Sequence, residues 1–121
     1  MVLDDISTMR KAWQRRAAIE KQAAINRRQE ALTKARLAAS WLKEKYKVKK
    51  VYLYGSLAWS EYFTPHSDID LLIEGFTAKD HYWRMWLEVE AITAPFPPSI
   101  VLAEDAVAGL LLEVRQKGLE L

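Results

Sequence analysis

Two aspartates are the residues of this sequence best suited to metal chemistry. Asp68 and Asp70 are two positions apart in an apolar run, so on a β-strand both carboxylates lie on one face while the aliphatic residues beside them face the other way. Two such carboxylates supply the hard oxygen ligands that Mg²⁺ prefers. The pair therefore predicts a divalent-metal site.

A glycine and a serine lie a short distance before the aspartates. Gly55 and Ser56 follow the apolar run Val51–Tyr54, which predicts a buried strand. A Gly-Ser pair between a strand and a helix offers unobstructed backbone N–H groups, a hydroxyl and a helix N-terminus, all of which suit a phosphate chain. Together with Asp68 and Asp70, the pair predicts a site for a metal-bound nucleoside triphosphate.

The spacing of these residues resembles the signature of the polymerase-β-like nucleotidyltransferase superfamily. That pattern is an apolar residue, Gly55-Ser56, eleven intervening residues, and then Asp68 and Asp70. The short chain resembles the minimal branch of the superfamily, the MNT proteins, which are commonly encoded beside a HEPN-domain partner. Each half of the motif alone is common in turns or strand ends, so it is the spaced combination that carries the resemblance.

The resemblance implies a site with two Mg²⁺ ions held between three carboxylates. Gly55 and Ser56 are expected to hold the triphosphate, and Asp68 and Asp70 match two of the catalytic metal ligands. The third acid is expected on a later strand, where this chain has Ser99 or, in a second alignment, Ile100. The metal site is therefore predicted to be incomplete by one ligand.

Other nearby residues do not replace the missing groups. Glu104 and Asp105 are better explained as helix caps, and Glu74 lies at a strand end. Many minimal members of the family carry a basic residue and a glycine just after the Gly-Ser, whereas this chain has Leu57–Ser60 without Lys or Arg. One cation that pairs with phosphate is therefore also absent.

Two functions stay open at this stage. In the first, the chain is the MNT antitoxin of a HEPN/MNT toxin–antitoxin pair, binds Mg-ATP and transfers AMP to a hydroxyl of its partner, a tyrosine in the pairs it resembles. In the second, a catalytically degenerate nucleotidyltransferase fold acts as a nucleotide-binding or protein-docking antitoxin or adaptor. The retained Gly-Ser and Asp-x-Asp residues favour nucleotide binding, and the missing acid argues against fast turnover.

The elements that must position these residues predict an α/β (α+β) fold, with a small mixed β-sheet backed by helices and preceded by a long N-terminal helix. The predicted strands are Val51–Tyr54, Ile69–Glu74, Ser99–Leu102 and an edge strand over 119–121. The predicted helices are Leu57–Tyr62, one from Thr77 or Asp80 to Ile92, and one from Glu104 or Asp105 to Lys117. Trp83 and Trp86 are expected to pack with the sheet, Trp41 beneath the long helix, and Trp59 near the nucleotide pocket.

Residues 4–47 contain no glycine or proline and predict a helix of roughly 60 Å. That length is about twice the diameter of a domain of this size, so part of the helix must project or contact another chain. We therefore divide the chain into a basic N-terminal helix over 1–47 and a minimal nucleotidyltransferase domain over 48–121.

The N-terminal half of that helix carries Ile6, Met9 and Trp13 at helical spacing. In one interpretation only Leu32–Tyr46 packs on the sheet and the rest is solvated. In the other, which we favour because interfaces are enriched in tryptophan, the N-terminal half docks on a partner or forms a homo-oligomer.

Charge is distributed unevenly along the chain. Residues 1–50 hold fourteen basic and five acidic side chains, and residues 51–121 hold four and eleven. A basic helix on an acidic domain indicates an anionic partner, which could be RNA, an acidic protein surface or a neighbouring copy. Nucleic acid is the weaker alternative because few aromatic residues interleave with the basic ones, which are Arg10, Lys11, Arg15, Arg16, Arg27 and Arg28.

Composition excludes several classes of site. The chain has no cysteine, so disulfides and thiolate metal sites are excluded, and its two histidines have no spacing suited to zinc. His66, in the turn before the aspartates, is expected to be a solvated turn residue. No apolar run approaches the ~20 residues of a membrane span, and there is no apolar segment typical of a signal peptide. A cytoplasmic protein is the simplest expectation.

Overall fold

The computed structural model describes residues 2–60 and 63–121 and confirms the predicted α+β fold. The helices are α1 Val2–Lys45, α2 Ser56–Trp59, α3 Tyr82–Thr93 and α4 Ala108–Lys117. The strands are β1 Lys50–Tyr54, β2 Ile69–Glu74, β3 Pro98–Leu102 and β4 Leu119–Glu120. Two short 3₁₀ turns, Lys79–His81 and Ala103–Asp105, follow β2 and β3.

The four strands form one mixed sheet in the order β3-β2-β1-β4. β1 is antiparallel to both β2 and β4, whereas β2 and β3 are parallel. Across these pairings Asp70 on β2 is opposite Tyr54 on β1 and Ser99 on β3. The register therefore places the second aspartate of the motif between a tyrosine and a serine at one end of the sheet.

Helices cover both faces of the sheet. On one face the odd-numbered residues of β1 and β2, such as Leu53 and Leu71, join a core cluster with residues of α1 and α3. On the other face Tyr52 and Leu72 form a smaller cluster with Val114 of α4. Because side chains alternate along a strand, Asp70 shares this second face with Leu72. The aspartate therefore lies beyond the end of the smaller cluster rather than in the main core.

Only the C-terminal part of α1 belongs to the core. Four of its small or aliphatic residues are fully buried at helical spacing: Ala31, Ala35, Ala38 and Leu42. Alanines at these positions let the helix axis approach the sheet closely. Residues 5–23 are all exposed, so about 28 Å of a helix roughly 66 Å long extends past the packed segment. The division of the chain into a helix over 1–47 and a domain over 48–121 stays a prediction. In the structure, α1 supplies both the projecting segment and part of the core.

Two leucines on α1 test this assignment. We expect Leu42→Ala, at a fully buried site, to lower the free energy of unfolding by about 2–5 kcal/mol because it removes core contacts and leaves a cavity. Leu37→Ala, on the same helix but 57% exposed, should change it by less than about 0.5 kcal/mol. Urea denaturation measures both values, and equal losses would contradict the described burial.

Three predicted helix boundaries differ from the structure. α2 ends at Trp59, short of the predicted Tyr62, and residues 61–62 lie outside the described ones. The caps proposed for α3 and α4 are wrong within the described part of the chain, because 3₁₀ turns precede both helices and no side chain caps them. The residues concerned are Thr77, Asp80, Glu104 and Asp105. Glu104 instead pairs with Lys79 at 2.9 Å.

The prediction that Trp83 packs with the sheet is also wrong. α3 buries Met85, Val89 and Thr93, which recur every four residues along one side of the helix. Trp83 lies two residues before Met85, about 200° around the helix, and is 70% exposed. Trp86 is half-buried, with its ring centroid 6.2 Å from that of Trp83. An exposed tryptophan is thus left on the outer side of α3.

Candidate functional site

Asp70 is the centre of the candidate site. It is half-buried in β2, accepts a hydrogen bond from the side chain of Ser99, and faces Tyr54 across the neighbouring strand. Asp68 precedes β2 by one residue and is exposed. The two carboxylates therefore differ in environment, since Asp70 is held within the sheet and Asp68 lies in solvent just before the start of β2.

The electrostatics of this pair suit a cation. Burial raises the pKa of Asp70 to about 6, the nearby charge of Asp68 raises it too, and the hydrogen bond from Ser99 lowers it in part. Burial and the charge of Asp70 raise the pKa of Tyr54. Repulsion between the two carboxylates makes it harder to ionise both, and a bound cation would relieve that repulsion. Carboxylate oxygens are also the hard ligands that Mg²⁺ prefers. Asp68 and Asp70 therefore fit as magnesium ligands.

Gly55 brings the two halves of the motif into contact. Its backbone has φ 75° and ψ −156°, a region that essentially only glycine adopts. A Cβ atom placed on Gly55 would lie 2.1 Å from Oδ2 of Asp70. The carboxylate therefore packs directly against the bare Cα, and the site requires glycine both for its backbone conformation and for the space it leaves.

Ser56 begins α2, which is a single turn. The backbone N–H groups of Ala58 and Trp59 donate to the carbonyl of Gly55 at 3.1 and 2.9 Å. The first N–H groups of a helix have no acceptor within the helix, so those of Ser56 and Leu57 are suited to an anionic ligand. Because the helix is so short, its dipole adds little, and the hydroxyl and amides carry the expected phosphate contact.

The N-terminal helix is hydrogen-bonded to α2 and to Phe63. Arg28 Nη2 donates to the carbonyl oxygen of Leu57 at 3.1 Å, and Arg27 Nη1 donates to that of Phe63 at 3.3 Å. These two arginines, considered above for nucleic-acid contact, are thus engaged with backbone oxygens. Sequence reasoning missed this role because 29 residues separate Arg28 from Leu57 and no local pattern connects them.

The described residues contain no third carboxylate beside Asp70. No group of three or more metal-ligating side chains occurs within 2–60 and 63–121, and Glu61 lies outside these ranges. Glu74 is four residues further along β2 and accepts a hydrogen bond from Arg115 at 3.0 Å. Ser99 lies directly opposite Asp70, whereas Ile100 pairs with Leu71 and packs against the main core. A serine therefore occupies the strand position facing the central aspartate.

Aromatic residues close one side of the site. The ring centroids of Tyr54 and Trp59 are 6.2 Å apart, and the indole Nε1 of Trp59 donates to the carbonyl of Lys117 at 2.9 Å. These contacts agree with the packing role expected for Trp59. His66 is exposed in the turn before Asp68, also as expected.

The raised pKa of Asp70 predicts how stability depends on pH and Mg²⁺. A carboxyl with a higher pKa in the folded than in the unfolded chain favours folding while protonated, so its contribution is lost as pH rises from about 4 to about 6. We expect the melting temperature of the wild type to fall relative to that of Asp70→Asn over this range. At pH 7, Mg²⁺ should raise the melting temperature of the wild type but not that of Asp70→Asn.

Thermal scans at pH 4, 5, 6 and 7, with and without Mg²⁺, test this expectation. Asp80→Asn, which removes an exposed carboxylate away from the sheet, is the matched control and should follow the wild type. A constant difference between wild type and Asp70→Asn across the range would contradict the assigned environment of Asp70.

Comparison with known proteins agrees with the geometry. The model of one protein family, Polymerase beta, Nucleotidyltransferase, matches residues 38–121. The match includes all four strands, the Gly-Ser turn and both aspartates, and begins within the packed part of α1. No curated protein matches the chain.

No helix in the described part of the chain is both long and apolar enough to cross a membrane.

Proposed function

Because the chain belongs to the polymerase β nucleotidyltransferase family, we propose that its site binds a Mg²⁺-bound nucleoside triphosphate, with ATP as the favoured nucleotide. We further propose that binding, rather than rapid nucleotidyl transfer, is what this site does. In this role the chain is a nucleotide-dependent antitoxin or adaptor that acts by contact with a partner protein.

The position of Ser99 carries this proposal. It faces Asp70 across the parallel β2–β3 pair and hydrogen-bonds to it, so the carboxylate set within residues 2–60 and 63–121 stops at two. A hydroxyl can orient Asp70 but adds no negative charge. Mg²⁺ requires near-octahedral oxygen ligands, which makes a site short of one carboxylate weakest where a second ion would bind.

Each remaining residue has a definite task in nucleotide binding. Asp68 and Asp70 would hold the metal, and when bound Mg²⁺ supplies charge neutralisation for the phosphates. Gly55 keeps space for the Asp70 carboxylate, and the amides and hydroxyl at Ser56 face the phosphate chain. Ser99 fixes the orientation of Asp70 and partly offsets the raised pKa.

A second candidate is AMP transfer to a hydroxyl of a HEPN-domain partner, as in the MNT pairs that the sequence resembles. The observation that favours it is the complete Gly-Ser and Asp-x-Asp arrangement, which supports binding of the triphosphate in a reactive metal-bound form. In the transfer, the acceptor hydroxyl would lose its proton to water and its oxygen would bond to the α-phosphorus while the bond to the leaving pyrophosphate breaks. Asp68 and Asp70 would then have a catalytic as well as a binding role.

Radiolabelled ATP separates the two candidates. The chain and its HEPN-domain partner are incubated with Mg²⁺ and ATP labelled at either the α- or the γ-phosphate. AMP transfer labels the partner from the α-label only, and the label disappears with Asp70→Asn. We expect retention of nucleotide by the wild type with little or no labelled partner. Rapid α-labelling would overturn the binding proposal in favour of transfer.

A further inference from the structure

The projecting part of α1 carries an unpartnered apolar stripe. Met9 and Trp13 are 70% and 74% exposed, and Arg16 continues the same side of the helix three residues later. We call Met9, Trp13 and Arg16 the arm stripe. A spacing of four and then three residues keeps the three side chains along one side of the helix, as on a helix face that packs against another surface.

α3 carries a second stripe with the same spacing. Trp83 and Leu87 are 70% and 59% exposed, and Glu90, also exposed, follows three residues later. We call these three residues the α3 stripe. A groove of about 400 Å³, lined by Leu87, Glu90 and the segment 94–97, opens beside it. The two stripes share the order apolar, apolar, charged, and their charges are opposite.

The arm stripe cannot reach the α3 stripe of its own chain. Within one chain α1 contacts α3 through residues much closer to its C-terminus, since Trp41 and Lys45 both bond to Glu88. Trp13 is 28 residues before Trp41 on the same continuous helix, which places it roughly 42 Å away along the axis. Any contact between the stripes therefore joins two chains.

We propose that this chain forms a two-fold dimer in which the arm stripe of each copy packs on the α3 stripe of the other. Aligned in parallel, Met9 meets Trp83, Trp13 meets Leu87, and Arg16 meets Glu90. The two-fold axis repeats the contact, which doubles the buried area and covers the apolar residues of both arms. Each contact brings together four large apolar side chains, and two of them are tryptophans, a residue type that is enriched in stable interfaces.

Charge selects this pairing over direct contact between two arms. Residues 5–23 hold five basic and two acidic side chains, so two arms side by side would repel. Residues 51–121 carry a net charge of −7, so the region containing α3 attracts the arm. Dimerisation involves none of the site residues and is independent of the proposed nucleotide.

Sedimentation velocity on the full chain tests the proposal. We expect the wild type to be a dimer at about 100 μM and to dissociate on dilution or with added salt. Trp13→Glu and Leu87→Glu should each give a monomer, because either change disrupts both symmetric contacts. Circular dichroism confirms folding, which these exposed positions should not disturb.

Matched controls separate the stripes from general exposure of apolar surface. Ile19→Glu changes a residue 65% exposed that lies about 120° around α1 from Trp13, and Leu112→Glu changes a residue as exposed as Leu87 but on α4. Both variants should remain dimeric. Dissociation of the control variants to the same degree would overturn the proposal.

Charge reversal tests the register. Arg16→Glu and Glu90→Arg should each weaken the dimer by about tenfold, and the double variant should restore it. A monomeric wild type would overturn the proposal. So would a variant set in which Trp13→Glu dissociates the dimer but Leu87→Glu does not, because the arm would then cover a different surface.

Discussion

Replacing Ser99 by aspartate should increase nucleotidyl transfer by at least about tenfold. The new carboxylate would face Asp70 across the β2–β3 pair and complete the set of three acids expected from the sequence resemblance. Without metal, the added charge should raise the pKa of Asp70 further and lower the stability of the variant at pH 7. Mg²⁺ should restore that stability, which gives a readout besides activity.

Ser99→Asn is the control for this gain. Asparagine has nearly the shape of aspartate and can hydrogen-bond to Asp70, but it adds no negative charge. Pyrophosphate release, followed with Mg-ATP and an acceptor, should rise in Ser99→Asp alone. An equal rise in both variants would show that shape rather than a missing charge limits the reaction. No rise in Ser99→Asp would contradict the placement of the third acid at this position.

Gly55→Ala should abolish Mg²⁺-dependent nucleotide binding and lower the free energy of unfolding by about 1–3 kcal/mol. The new Cβ would lie 2.1 Å from Oδ2 of Asp70, so the carboxylate must move away from its place between Tyr54 and Ser99. The backbone conformation at Gly55 is also strained for any residue with a side chain. Fluorescence titration and urea denaturation measure the two effects.

Gly109 provides a matched control. It lies in α4, and a Cβ added there meets no atom within 4 Å in the described part of the chain. Gly109→Ala should therefore stabilise the helix by about 0.5–1 kcal/mol and leave nucleotide binding intact. If Gly55→Ala bound Mg-nucleotide like the wild type, the close contact between Gly55 and Asp70 would have no functional importance.

Much of the site could be predicted because its residues follow local rules. The alternation of residues 68–73 fixed the face on which Asp70 lies, and β2 has the predicted bounds. Ser99 could be placed in the site only through the resemblance, which expects a third acid on a later strand, and the structure pairs that strand with β2. The close approach of Gly55 to Asp70 could not be predicted, because it depends on the register between β1 and β2.

The orientation of α3 shows where local pattern fails. Its first two turns contain Tyr82, Trp83, Met85 and Trp86, which are apolar around most of the helix, so spacing alone cannot choose the buried side. The 3₁₀ turn at Lys79–His81 then sets where the helix begins. The contact of Arg28 with the Leu57 carbonyl could not be predicted for another reason, because it joins elements that are far apart in the chain.

Composition correctly predicted the long helix, but composition did not identify the surface that the helix contacts. Apolar spacing and basic charge identified Met9 and Trp13 as candidates for docking. The structure adds that Trp83 and Leu87 are exposed with matching spacing. The sequence had predicted that Trp83 packs with the sheet. A surface that looked like core in the sequence is therefore the strongest candidate to receive the arm.

Calorimetric titration of Mg-ATP into the purified chain tests the central claim most directly. The wild type should bind in a Mg²⁺-dependent manner, and the double variant Asp68→Asn, Asp70→Asn should lose at least about tenfold in affinity. The double variant Asp80→Asn, Asp105→Asn removes the same charge at exposed positions outside the site and should bind like the wild type. Absence of binding by the wild type, or equal affinity in all three proteins, would contradict the account.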